Sequence, residues 1–153
     1  MKKNLLLLLL LITCNTYSQQ LPQYNFKIKE HKVSLAFTML AGLSDGLRDA
    51  SIFGRMRDKG QWWNGVDSWQ NKYKNGNPLE GARFFGSTNI FVFTTDAPHF
   101  SNMVSNISGE MAKVYMPNMT GTTFWQKLKT VVVYSAIRSV GHTLVYGILF
   151  KNN

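Results

Sequence analysis

The sequence predicts a mainly α-helical small domain of about three principal helices with a long aromatic and basic connecting segment, preceded by a signal peptide. Three observations predict it. Apolar residues recur at intervals of three and four in three separate stretches. Two of those stretches carry small residues at a spacing of four, which stacks them on one helix face. The last stretch opens with a capping box, Thr123-Phe124-Trp125-Gln126.

The N-terminus reads as an export signal. Lys2 and Lys3 precede an unbroken apolar run from Leu5 to Ile12, and polar residues follow from Thr13 to Gln20. Positive start, short apolar core and polar exit are the order of a secretory signal peptide. The run is too short to span a bilayer, which needs about 20 apolar residues. It also has no polar face to show to water, so a core helix is a poor alternative. Thr16 and Ser18 are small and favour cleavage after Ser18. Leu11-Ile12-Thr13-Cys14 resembles a bacterial lipobox, which makes lipidation at Cys14 the alternative, although Thr13 is larger than usual before such a cysteine. Cys14 is the only cysteine, so the exported domain has no internal disulfide and no thiolate metal site. The expected organisation is a signal over 1–18, an extended lead-in over 19–33 and a single helical domain over 34–153.

The chain carries a net charge of +9, and loss of Lys2 and Lys3 leaves +7. Outside the cytoplasm such a balance suits anionic lipid headgroups, acidic wall polymers or an acidic partner protein. Nucleic acid is not an expected partner in that compartment. Aromatic residues make up 13% of the chain, too many for a disordered segment.

The first helix is expected from Ser34, with Leu35, Phe37, Met39, Leu40, Leu43, Leu47, Ile52 and Phe53 as its apolar residues. Thr38, Gly42, Gly46 and Ala50 share one stripe. Each Gly costs a helix interior up to about 1 kcal/mol against Ala. Two on one face imply the close approach of another backbone.

Residues 54–86 are rich in turn formers, notably Gly60, Gly65, Gly76-Asn77-Pro78 and Gly81. Trp62, Trp63, Trp69, Tyr73, Phe84 and Phe85 alternate with Arg55, Arg57, Lys59, Lys72, Lys74 and Arg83. Ser68 to Lys74 predicts a short helix. A connection of this length is usually functional or covers the core. Trp62, Trp63, Trp69, Lys72, Tyr73 and Lys74 are its candidate binding residues, for a membrane interface, a sugar or a protein. Simple coverage of the helices is the competing role for the tryptophans.

The middle element is expected to be one helix kinked at Pro98, with Phe100, Met103, Val104, Ile107, Met111 and Val114 on one face. In the last helix, Ser135, Ser139, Thr143 and Gly147 form a second small-residue stripe. Tyr134, Arg138, His142 and Tyr146 form a polar stripe beside it. Val131 to Phe150 nearly suffices to span a membrane, but a central Arg138 costs about 2.5–3.5 kcal/mol there. A buried helix of a soluble or membrane-apposed domain is therefore expected.

Packing of the two small-residue stripes would bring Asp45 or Asp49 to Arg138 or His142. A charge on an apolar helix needs a partner, because an unpaired buried charge costs several kcal/mol. Three roles compete for the set Asp45, Asp49, Asp96, His99, Arg138 and His142. One is a polar network that fixes helix register. A second is a hydrolytic site holding a divalent metal, with Asp96, His99 and His142 as the candidate ligands. The third is recognition of an anion by Arg138 and the histidines. No H-E-x-x-H, phosphate loop or nucleophile elbow accompanies them.

Leu40-Ala41-Gly42 through Asp45-Gly46, Trp62-Trp63, Ser68-Trp69, Lys72-Tyr73-Lys74, Phe85-Gly86-Ser87-Thr88 and Thr95-Asp96-x-x-His99 resemble a family of small proteins from bacteria and their phages. The resemblance covers about the middle half of the chain and implies no activity. It implies that the tryptophans, Asp96 and His99 belong to one recurring unit.

The expected function is that of an exported, periplasmic or envelope-associated accessory protein without a cofactor, which binds a membrane surface or an envelope protein. The alternative is a metal-dependent hydrolase acting on an envelope lipid or polymer.

Overall fold

The structure is a computed structural model, described for residues 26–119 and 122–151. The signal over 1–18, cleavage after Ser18 and lipidation at Cys14 lie outside the described residues. The described chain is mainly helical, with three principal helices.

Helix α1 spans Ile28–Phe53. It starts earlier than Ser34, so the end of the expected lead-in is helical. Two local features support the extra turn. Lys27 pairs with Glu30 at 3.2 Å, and Glu30 sits at the dipole's positive end. His31 is buried, stacks on Phe26 and hydrogen-bonds the Tyr134 hydroxyl through Nδ1 at 2.9 Å. Gly42 and Gly46 lie within the continuous helix.

Helix α2 spans Ala97–Val114. It does not run through Pro98 as a kinked helix. Asp96 caps it and Pro98 falls in its first turn, where a missing N–H breaks no helical bond. The residues before it form turns and a short 3-10 turn over Val92–Thr94. Helix α2 runs antiparallel to α1: the Ser34 hydroxyl donates to the Ala112 carbonyl, and Ser105 donates to Asp45.

Helix α3 spans Phe124–His142 and continues as a π-helix over Thr143–Leu149. The capping box forms as expected, with Thr123 and Gln126 satisfying each other's backbone N–H groups. Helix α3 runs parallel to α1. A Cβ on Gly46 would lie 2.6 Å from the His142 carbonyl oxygen, and one on Gly141 would lie 2.7 Å from that of Met39. The glycines therefore do admit a neighbouring backbone. It is the backbone of the polar stripe, at Arg138 and His142, that fills the space. Ser135, Ser139, Thr143 and Gly147 are exposed.

The interior is built from small and polar residues. Buried positions include Ser34, Thr38, Ala41, Ser44 and Ala50 of α1, and Ala97, Ser101, Ser105, Ser108 and Ala112 of α2. Small side chains let the backbones approach, and several hydroxyls bond their own helix four residues back. Thr38 donates to Ser34 O, Ser51 to Leu47 O and Thr130 to Gln126 O. The large apolar side chains of α2 share a face as expected, but Phe100, Ile107 and Val114 are exposed on it.

The connection between α1 and α2 is a chain of turns, with no strand among the described residues and one isolated bridge, Tyr73–Ala82. The expected short helix is a 3-10 helix over Ser68–Lys72. Hydrogen bonds fasten this connection to α1, to the start of α2 and to itself. Gly65 N donates to Ser51 O at 2.8 Å and Ala97 N to Trp62 O at 2.9 Å. Asn71 Nδ2 donates to Thr95 O at 3.1 Å, and the Ser87 hydroxyl to Lys72 O at 2.7 Å.

Candidate functional site

A polar network crosses the three helices near mid-length. Helix α1 supplies Asp45, Arg48 and Asp49, α2 supplies Ser105, and α3 supplies Arg138 and His142. The residues of α1 fall on successive turns beside Gly42 and Gly46. The close approach at those glycines brings the α3 side chains within reach.

Arg138 Nε and Nη2 each lie 2.8 Å from Asp45 Oδ2. Arg138 Nη2 also donates to Ser105 Oγ at 3.0 Å, and Ser105 Oγ donates to Asp45 Oδ1 at 2.8 Å. The three side chains close a ring. Beside it, Arg48 Nη2 meets Asp49 Oδ1 at 3.1 Å, and His142 Nε2 meets Asp49 Oδ2 at 2.9 Å. Arg48 Nη1 is 3.6 Å from Asp45 Oδ1, linking the two pairs. Two carboxylates thus face two guanidiniums and an imidazole, and all four carboxylate oxygens are engaged. Carboxylates held in this way are oriented by fixed donors, which suits a structural tie between helices. The network borders an open groove of about 440 Å³ lined also by Ser139 and Thr143.

Asp96 and His99 form a second unit at the start of α2. Asp96 is fully buried. Its Oδ1 accepts from the His99 backbone N–H at 2.8 Å, and both oxygens lie 2.8 Å from His99 Nδ1. A carboxylate only accepts, so His99 Nδ1 carries a proton in this contact. The Thr95 hydroxyl adds a bond to Asp96 Oδ2 at 3.3 Å. Asp96 is first of all the helix cap.

The structure therefore joins Asp45, Asp49, Arg138 and His142 and leaves Asp96 and His99 apart from them. Along α2, Asp96 and Ser105 are separated by about 13 Å at 1.5 Å per residue. Among the described residues no three His, Cys, Asp or Glu side chains stand together as a metal would require. The set Asp96, His99 and His142 is not assembled as a ligand sphere.

The connecting segment divides into two parts. Trp62 and Trp63 are half-buried, 4.7 Å apart edge to face, with Trp62 against Phe100 of α2. Trp69 is exposed and meets Tyr73 edge to face, and Lys72 Nζ lies 5.3 Å from the Tyr73 ring centroid. In the same connection Leu79 is 95% and Phe85 87% exposed, with Phe84, Ile90 and Phe91 also exposed. Leu79 escapes notice in the sequence because it is a single apolar residue among turn formers. Ser105 escapes notice as well. Its only signal is its place among Ser101, Ser105 and Ser108 on one side of α2.

No protein-family model matches this chain, and no curated protein or solved structure matches it. The likeness to the bacterial and phage family rests on the motifs quoted above.

Proposed function

We propose that the chain is an exported, envelope-associated accessory protein that binds a membrane surface through its aromatic and basic connection. The observation that carries this reading is the exposure of Trp69, Leu79, Phe84, Phe85, Ile90 and Phe91 along one connecting segment. Exposed apolar patches of this kind mark interaction sites. Lys72, Lys74 and Arg83 lie in the same segment, and aromatic rings with cations suit an anionic lipid interface. The engaged carboxylates of the helix network favour a structural role over catalysis. The separation of Asp96 and His99 from His142 speaks against hydrolysis at a shared metal.

Flotation with lipid vesicles tests the reading. Capture is expected to rise with phosphatidylglycerol over phosphatidylcholine, and to fall about tenfold in a Trp69→Ala/Phe85→Ala/Ile90→Ala variant. Equal capture of variant and parent chain would refute it. Capture of a protein partner by the same face, with no lipid preference, would replace the membrane with a protein.

A further inference from the structure

Helix α3 with its π-helical extension, Phe124–Leu149, is long and apolar enough to cross a membrane. At 1.5 Å per residue it measures about 39 Å, against a hydrocarbon core of about 30 Å. Within Phe124–His142 only Thr130, Tyr134 and Gly141 are buried by the protein. Val132, Val140, Leu144 and Ile148 are exposed on the side away from α1, and Val132 is 59% exposed. On helix α1, Val33 and Leu40 are exposed as well.

The ends differ from the middle. Phe124 and Trp125 stand at the start of α3, followed by Lys127 and Lys129, and Phe150 with Lys151 stands at its finish. Aromatic rings and long cations at both ends of an apolar segment are the pattern of a helix anchored at two interfaces. Lys29 and Lys32 lie near the corresponding end of α1.

The interior is the converse of a water-soluble bundle. Small residues and hydroxyls pack inside and large apolar residues face out. This is how helices associate where lipid removes the hydrophobic drive between them. The cost of a central Arg138 is met within the protein, because it is bonded to Asp45 and Ser105. Ionisable groups in membrane helices typically pair with one another and face the bundle or a water-filled cavity. Here Asp45, Arg48, Arg138 and His142 line the groove.

We propose that α3 and its extension cross the hydrocarbon layer beside α1, with the outer apolar face against acyl chains. This deepens the membrane-associated reading and rests on it. It names hydrocarbon, rather than a headgroup surface alone, as what covers this face.

The test uses chain purified from cell envelopes and reconstituted in phosphatidylglycerol/phosphatidylcholine vesicles. Val132→Cys, Val140→Cys and Ile148→Cys variants, each with Cys14→Ser, carry a fluorescent label quenched by nitroxide lipids of graded depth. The expected order places Val132 and Val140 deep and Ile148 shallow. Equal depth at all three positions would lay the helix flat on the surface and overturn the proposal. So would equal quenching of all three by aqueous iodide. Shielding that persists without vesicles, together with a dimeric mass, would assign the face to a second copy instead. Unchanged capture of the Trp69/Phe85/Ile90 variant refutes the surface reading alone, whereas loss of the depth order refutes the crossing alone.

Discussion

Arg138 and Asp45 meet through two guanidinium nitrogens on one carboxylate oxygen, each at 2.8 Å, although they are 93 residues apart in sequence. Ser105 closes the ring from α2. Asp45 is the better shielded end, its side chain 15% exposed against 47% for Arg138. Arg138→Met is expected to lower stability by about 1–2 kcal/mol, because it leaves a shielded carboxylate short of a donor while solvent screens part of the loss. A double-mutant cycle with Asp45→Asn checks this by thermal unfolding. A coupling of about 1 kcal/mol is expected between residues that share a network.

Gly42 and Gly109 make a controlled pair. A Cβ on Gly42 would collide with the backbone of Arg138, whereas a Cβ on Gly109 would meet nothing within 4 Å. Gly42→Ala is expected to destabilise by about 1–3 kcal/mol through overpacking. Gly109→Ala is expected to stabilise by up to about 1 kcal/mol, the propensity difference in a helix interior. The midpoints of two denaturation curves decide it, and equal shifts would contradict the backbone contact.

Ser101 is buried, and among the described residues its hydroxyl is the one buried side-chain polar atom without a hydrogen-bond partner. A buried polar group left unbonded costs about 1–3 kcal/mol. Ser101→Ala removes that group and little volume, so a gain of about 1 kcal/mol is expected. A loss of stability instead would mean that the hydroxyl is satisfied.

Asp96 combines a cap with a tether for His99. Asn is an equally good cap but a weaker partner for an imidazole proton. Asp96→Ala is expected to cost about 1–2 kcal/mol, and Asp96→Asn clearly less. The ring-nitrogen signals of His99 in nitrogen NMR should move in both variants, since each removes the carboxylate from Nδ1. Equal losses in the two variants would show that charge, not capping, dominates at this position.

Sequence reasoning reaches the parts of this molecule that local physics fixes. The Thr123–Gln126 box needs only four residues to declare itself. Gly42 and Gly46 betray a close approach because their cost has no other use, and Asp45, Asp49, Arg138 and His142 must find partners on apolar helices. What sequence hides is set by tertiary context. The polar start Lys27 to Lys32 resembles a lead-in until His31 meets Tyr134. Pro98 fits a kink as well as a first turn, and only the Asp96 cap decides. The Phe100–Val114 stripe has core periodicity, yet small residues close the interior and leave Phe100, Ile107 and Val114 outside. The Ser135–Gly147 stripe resembles the contact face, but the twist of α3 presents Arg138 and His142 to the glycines instead.

The proposed crossing requires that the outer apolar face of α3 be covered by lipid. Alkaline carbonate washing of cell envelopes reads this most directly, because it strips proteins held only at the surface and leaves those seated in hydrocarbon. The chain is expected to stay in the membrane pellet, and a Val140→Glu variant to be released in part, since a charge deep in hydrocarbon costs about 2–3 kcal/mol or more. Complete release of the parent chain into the supernatant would contradict the account.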